Sequence, residues 1–145
     1  MRSIIHGIGY GAWLIKEIFV AGFDAVGKAF NPAAKIEPIV IYYPLRINTD
    51  WDVFWFTTSI TATPGTLSMG LRHPITPGGP ITLLVQAAFG SDPEDVIASL
   101  ADMEEHLRPS VSERPIDPAS VAWEPYVDHG PDRDDDTVPP AERMD

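Results

Sequence analysis

Five hydroxyl side chains, Ser59, Thr61, Thr63, Thr66 and Ser68, crowd around one Pro64-Gly65 pair, and His73 follows shortly after. A Ser or Thr nucleophile needs a histidine base and a carboxylate that orients it. The spacing here does not supply them. There is no G-x-S-x-G elbow, and the strand-like stretch 66–72 separates Thr66 from His73. The hydroxyls are better suited to satisfying backbone groups at a turn. Thr63, Pro64, Gly65 and Thr66 are therefore expected to act structurally, with no catalytic residue and no enzymatic activity.

Metal chemistry fares no better. The chain has no cysteine, and His6, His73, His106 and His129 are scattered without ligand spacing. Asp134-Asp135-Asp136 could attract a hard cation. It lacks the spaced ligands, central glycine and closing glutamate of an EF-hand loop. Neither metal nor cofactor is expected. The remaining polar constellation is a stripe of His6, Glu17, Asp24 and Lys28 in an otherwise apolar segment. Ionisable residues within a membrane helix mark functional sites. The alternative is that Glu17 and Asp24 face headgroup water or pair with a neighbouring subunit, as in an interfacial helix.

That stripe belongs to residues 3–30, which run without proline and are expected to be helical. At about 100° per residue, Ile4, Ile8, Gly11, Ile15, Ile18, Phe19, Gly22 and Val26 share one face. Trp13 lies on the polar side. Twenty-eight helical residues span about 42 Å, more than a bilayer core of about 30 Å. Lys16, Glu17 and Asp24 are costly in lipid, so the segment is either an oblique membrane helix or an amphipathic helix in the interface. A secretory signal fits poorly, because charges interrupt its apolar part. Gly7 and Gly11 form a small-xxx-small pair that either permits close helix contact or loosens the terminus. Asn31-Pro32 ends the helix, and Lys28 and Lys35 near that end place the following domain in the cytoplasm.

Residues 36–108 read as β-α-β-β-α. Ile39–Tyr43 is a β-branched and aromatic run with Pro44 at its end. Asp50 is expected to cap a helix through Ile60, and Pro64-Gly65 then reverses the chain in a type II turn. Strands follow at 66–72 and 81–87, joined by the Pro-Gly-Gly-Pro loop. Ser91 or Asp92 caps a last helix with Pro93 at its first position and a stripe of Val96, Leu100, Met103 and Leu107. Glu104, Glu105 and His106 look like its exposed end. So small a domain buries a limited core and suits docking on a partner.

Charge is uneven. The chain carries a net −11, which argues against a nucleic-acid partner. Residues 109–145 hold ten acidic and three basic residues and seven prolines. They read as a disordered or extended tail, with Val121 to Val127 able to clip onto the folded part. The expected architecture is thus α+β: a membrane-associated or amphipathic helix over 1–35, a small cytoplasmic α/β domain over 36–108, and a Pro-rich acidic tail over 109–145.

Several of these residues together resemble a known family. Leu14-Ile15-Lys16-Glu17-Ile18 is similar to its apolar-Lys-Glu helix, and Pro38-Ile39-Val40 with Pro44-Leu45 to its first strand. Ile60-Thr61-Ala62-Thr63-Pro64-Gly65-Thr66-Leu67-Ser68 is close to its Ile-Thr-x-Thr-Pro-Gly-Thr-Leu signature. The family is the E subunit of the multi-subunit monovalent-cation (Na+)/proton antiporters of the Mrp or Mnh type. The chain departs from it in two ways. There is room for one N-terminal hydrophobic segment rather than three, and Gln86 stands where the family usually has His. The resemblance implies an accessory, non-catalytic subunit in the cell membrane, with the other antiporter subunits and membrane lipid as partners. A rival reading is a peripheral membrane domain that binds a small molecule or acts as an enzyme. A pocket on which Thr61, Thr66 and His73 converge would mark it.

Overall fold

Glu104 has no accessible surface, and Arg46 beside it has almost none. Helix α3 (Pro93–Leu107) buries Ile97, Leu100, Ala101, Met103 and Glu104 on one side, so this carboxylate sits inside the apolar stripe. Its Oε2 accepts from Arg46 Nε at 2.7 Å and from the Tyr43 hydroxyl at 2.9 Å. Its Oε1 accepts from the backbone amides of Arg46 at 2.8 Å and Ile47 at 3.0 Å. The guanidinium also donates to Glu105 and to the Ala101 carbonyl. A buried charge is tolerable only when paired and hydrogen-bonded in this way. Burial alone would lower the Arg46 pKa, but its bonds to Glu105 and Glu104 outweigh that and raise it. Burial, followed by the Glu104 charge, also raises the Tyr43 phenol, which stays a donor at neutral pH. The expectation that Glu104 is an exposed helix end is thereby corrected.

The computed structural model describes residues 2–30, 37–74 and 79–126, with the side chains of 2–6, 28 and 29 excepted. Besides α3, its elements are α1 (Arg2–Phe30), β1 (Ile39–Pro44), α2 (Asp50–Ala62), β2 (Thr66–Arg72), β3 (Thr82–Ala87) and β4 (Trp123–Pro125). Two 3-10 turns, Pro109–Glu113 and Pro118–Ser120, lead into β4. The four strands form an antiparallel sheet in the order β2-β3-β1-β4. Alternation along β1 and β3 turns Ile39, Ile41, Tyr43, Leu83, Val85 and Ala87 to one side. There they meet Phe56 and Ile60 of α2 and Ile97, Leu100 and Met103 of α3. The fold is mixed α and β, as expected, with its helices on one face of the sheet.

Four details differ from expectation. The sheet has a fourth strand, because residues 109–126 belong to the folded body rather than to a tail. Tyr42 N donates to Ala122 O at 2.9 Å, Tyr126 N to Pro38 O at 2.8 Å, and the Tyr42 hydroxyl to Glu124 at 2.6 Å. Val121, buried in the core, anchors this return. The acidic residues 127–145, including Asp134-Asp135-Asp136, lie outside the described residues, as does most of the Pro-Gly-Gly-Pro loop. Thr49, not Asp50, caps α2 by accepting from Asp52 N at 3.2 Å. Asp92 is the cap of α3, and Ile97 rather than Val96 enters the core. Finally, a bulge between Ser68 and Gly70 breaks the alternation read in β2.

Glu104→Ala leaves the buried Arg46 guanidinium with only the partly exposed Glu105 as a charged partner and strips the Tyr43, Arg46 and Ile47 donors of their acceptor, and is expected to cost about 3–5 kcal/mol of unfolding free energy. Arg46→Met combined with Glu104→Leu should cost much less than either single change. Urea unfolding followed by tryptophan fluorescence separates the two, and additive losses would contradict the coupling.

Candidate functional site

The end of α2 shows why its hydroxyls are there. The last turn of a helix leaves carbonyls without intrahelical partners. Thr63 N donates to the carbonyls of Ser59 and Ile60, each at 3.1 Å. The Thr63 hydroxyl donates to Ser59 O at 3.0 Å. The Thr66 hydroxyl donates to Ile60 O at 2.7 Å, with Thr63 O at 3.1 Å as a second acceptor. The two threonines of the turn thus close the helix. Pro64 between them cannot continue it. Gly65 takes φ +91, as a type II turn requires at that position. A Cβ there would also meet the Phe89 ring at 3.2 Å. Gly65 O then accepts from Ala88 N at 2.8 Å, pinning the turn to the end of β3.

The neighbouring hydroxyls are engaged in the same way. Thr57 and Thr58 donate to Phe54 O, Ser59 to Trp55 O, and Thr61 Oγ1 accepts from Ser68 N. A shallow groove beside the turn is lined by Phe54, Thr57, Thr58, Thr61, Ala62 and Ser68. Neither Thr66 nor His73 enters it, so the convergence that would mark the rival reading is not formed. Among the described residues, no group of three or more potential ligands could hold a metal ion.

The turn is also a contact point for α1, because Pro64 packs against Gly22. From there α1 runs back along the crease between α2 and α3. Trp13 stacks on His106 of α3 with ring centroids 4.0 Å apart and planes 9° apart. The Tyr10 hydroxyl lies 2.8 Å from Ser59 Oγ. Burial raises the Tyr10 pKa, and the Ser59 bond partly offsets this. Glu17 borders a crevice with Trp13, Thr63, Asp102 and Met103, and Asp24, two turns on, is exposed. His6 and Lys28 side chains are outside the described set. The side of α1 that faces the domain is therefore mixed: Tyr10, Trp13 and Glu17 meet hydroxyls and an imidazole, Leu14, Ile18, Ala21 and Gly22 lie among them, and Asp24 stays outside.

Most of the large apolar side chains of α1 turn away. Ile8, Ile15, Phe19, Phe23, Val26 and Phe30 are exposed, Phe23 to 76% and Phe30 to 85%. At about 100° per residue they form one stripe. Among the described residues, no helix is long and apolar enough to cross a membrane. Gly7 and Gly11 make no close packing contact within the chain. They line a cleft of about 740 Å³ opposite Trp51 and Trp55, with Arg108 at its rim. Arg108 Nη2 there holds both Asp52 carboxylate oxygens, at 2.5 and 2.7 Å.

Fold and site together define a small mixed α/β domain with a docked amphipathic helix, its hydroxyl-rich turn committed to capping. Residues 1–108 match the MNHE family, described as Na+/H+ ion antiporter subunit, and the chain belongs to this family. It is 35% identical over 69 residues to the E subunit of the Na(+)/H(+) antiporter of Alkalihalophilus pseudofirmus, a match covering 48% of this chain and 44% of that protein. It is 26% identical over 99 residues to the corresponding E subunit of Bacillus subtilis, covering 68% of this chain and 58% of that one. The chain thus spans about half the length of these relatives. A chain in the structure of the Mrp complex from Dietzia sp. DQ12-45-1b is similar at TM-score 0.55 and 31% identity, over 72% of this chain and 94% of that chain.

Gly65→Ala is expected to lower stability by at least about 1–2 kcal/mol from the positive φ alone. Thr66→Val should cost about 1 kcal/mol by removing the hydroxyl bond to the Ile60 carbonyl, which then keeps only Thr63 N. Thermal unfolding monitored by circular dichroism checks both. A Gly65→Ala chain as stable as the parent would contradict the turn geometry.

Proposed function

We propose that the chain is an accessory, non-catalytic subunit of a multi-subunit Na+/H+ antiporter in the cell membrane, supporting assembly and stability of the complex. One observation carries this reading: α1 is already docked along one side, yet presents a continuous stripe of large apolar residues outward. Soluble monomers rarely expose so extended an apolar surface without a binding role. The stripe suits a membrane-embedded neighbour or the bilayer interface. Gly7 and Gly11, unused in packing within the chain, suit the close approach of a partner helix. The relatives' designation as antiporter subunits, and the Mrp complex that holds the similar chain, point to the other antiporter subunits as partners. In this reading α1 lies at the membrane surface, where Glu17 and Asp24 form its polar side, and the sheet domain rests on the cytoplasmic face. The capped turn Thr63–Thr66 acts as the corner of that domain and moves no ion. Ion translocation belongs to other subunits.

Phe19→Glu combined with Phe23→Glu is expected to abolish co-purification of the antiporter subunits from detergent-solubilised membranes. The unfolding midpoint of the chain should be unchanged, because neither side chain is buried. Full recovery of the complex with the double variant would contradict the proposed docking face.

A further inference from the structure

The cleft between the first half of α1 and the first turns of α2, about 740 Å³ in volume, has the size of a ligand site, which runs to about 300–1,000 Å³. Its walls are apolar: Tyr10, Leu14, Trp51, Trp55, Leu107 and Pro109. Gly7 and Gly11 leave the α1 wall without side chains there, and a Cβ added at either would meet nothing within 4 Å. Trp51 and Trp55, one turn apart, meet edge to face with centroids 5.7 Å apart, and Phe54 stacks on Trp51 at 5.8 Å. All three are exposed, Trp51 to 67%. Indoles, with an apolar body and a wet N–H, are enriched where a membrane meets water.

Asp52 and Arg108 are the charged residues that line the cleft. The Tyr10 hydroxyl is engaged by Ser59, and both Asp52 oxygens by Arg108 Nη2. The Arg108 side chain is half exposed, and among the described residues it makes no other hydrogen bond. Its Nε and Nη1 therefore keep their N–H groups for a ligand. A guanidinium with open donors matches an oxygen anion such as phosphate. Asp52 balances the Arg108 charge, and the whole chain carries a net −11. A headgroup with net negative charge is thus disfavoured. A zwitterionic phosphodiester brings the oxygen anion without that repulsion.

We propose that this cleft binds one zwitterionic glycerophospholipid, with its phosphodiester on Arg108 and an acyl chain between Trp51, Trp55 and the glycine face of α1. The proposal rests on the membrane-surface position proposed for α1, which brings headgroups to the mouth of the cleft. A partner helix approaching Gly7 and Gly11 then closes over the bound chain.

Dihexanoyl phosphatidylcholine, kept as monomers below its micelle-forming concentration, is the probe. The full chain carries Trp13→Phe and Trp123→Phe, so that only the cleft tryptophans emit. Their emission should move to shorter wavelength and saturate at one lipid per chain. Glycerophosphocholine, which lacks the chains, octyl glucoside, which lacks the phosphate, and inorganic phosphate should each bind at least tenfold more weakly, roughly the worth of one lost charged hydrogen bond. Gly11→Leu puts a side chain into the cleft and should abolish the shift with the circular dichroism unchanged. Arg108→Lys keeps a charge beside Asp52 but loses the planar fork, and should weaken binding about tenfold. Equal binding of octyl glucoside or inorganic phosphate would overturn the proposal, as would an unaltered response in Gly11→Leu. A shift that follows chain concentration without lipid would seat a second copy in the cleft and overturn it too. So would a Gly11→Leu chain that binds lipid as the parent does yet no longer recovers the antiporter subunits, because the cleft is then a helix seat. Phe19→Glu with Phe23→Glu should bind the lipid like the parent, so loss of lipid binding and loss of partner capture are separate results.

Discussion

The buried pair of Arg46 and Glu104 is the constraint on which the rest of this structure depends. One carboxylate holds a guanidinium, a phenol and two backbone amides, drawn from the end of β1 and the loop behind it. The guanidinium in turn reaches the Ala101 carbonyl of α3, the Glu105 carboxylate and the Arg114 carbonyl beyond the first 3-10 turn. Arg114 returns a bond to the Arg46 carbonyl at 2.8 Å. Buried ion pairs contribute little net stability compared with well-packed apolar residues, because desolvation offsets the attraction. What this one supplies is geometry. It sets α3 against β1 and brings residues 109–126 back to the sheet, where β4 can form.

That geometry decides how α1 sits. The crease between α2 and α3 offers Ser59, His106 and the corner at Pro64, a mixed polar and flat surface. Trp13, Tyr10 and Gly22 match it, and Leu14 packs towards the core. Here α1 docks through its smaller residues, Gly11, Ala21, Gly22 and Ala25, together with Leu14 and Ile18, and its large apolar side chains stay outside. The outward stripe is the result, and the proposed docking in a membrane complex rests on it.

Much of this was legible in the residues. The Thr-Pro-Gly-Thr corner was readable because its determinants are local: a residue that cannot continue a helix, one that accepts positive φ, and hydroxyls within reach of the last carbonyls. The strands β1 and β3 were readable from their β-branched runs, and Asp92-Pro93 announced α3. Other features depend on contacts between distant segments. β4 is three residues long and ends in proline, so nothing in its own composition marks a strand. Only pairing with β1 creates it. Glu104 carried a signal that was passed over: its spacing from Ile97, Leu100 and Ala101 places a carboxylate on the apolar face of a helix, which implies a buried cation. Trp13 looked out of place on the polar side of α1 until His106 supplied its partner.

In the proposed arrangement, α1 grips its own domain with its mixed side and offers its large apolar side chains to the antiporter complex. The chain has no cysteine, so single cysteines report cleanly. Cysteines placed in turn at Ile15, Phe19 and Phe23, and at Glu17 and Ala21, can be cross-linked in intact membranes with a short bifunctional thiol reagent. The outward set should give adducts with other subunits, and the inward set only with cysteines introduced into α3 at Ala98 or Ser99. Adducts to other subunits from Glu17 and Ala21, with none from the outward positions, would contradict it.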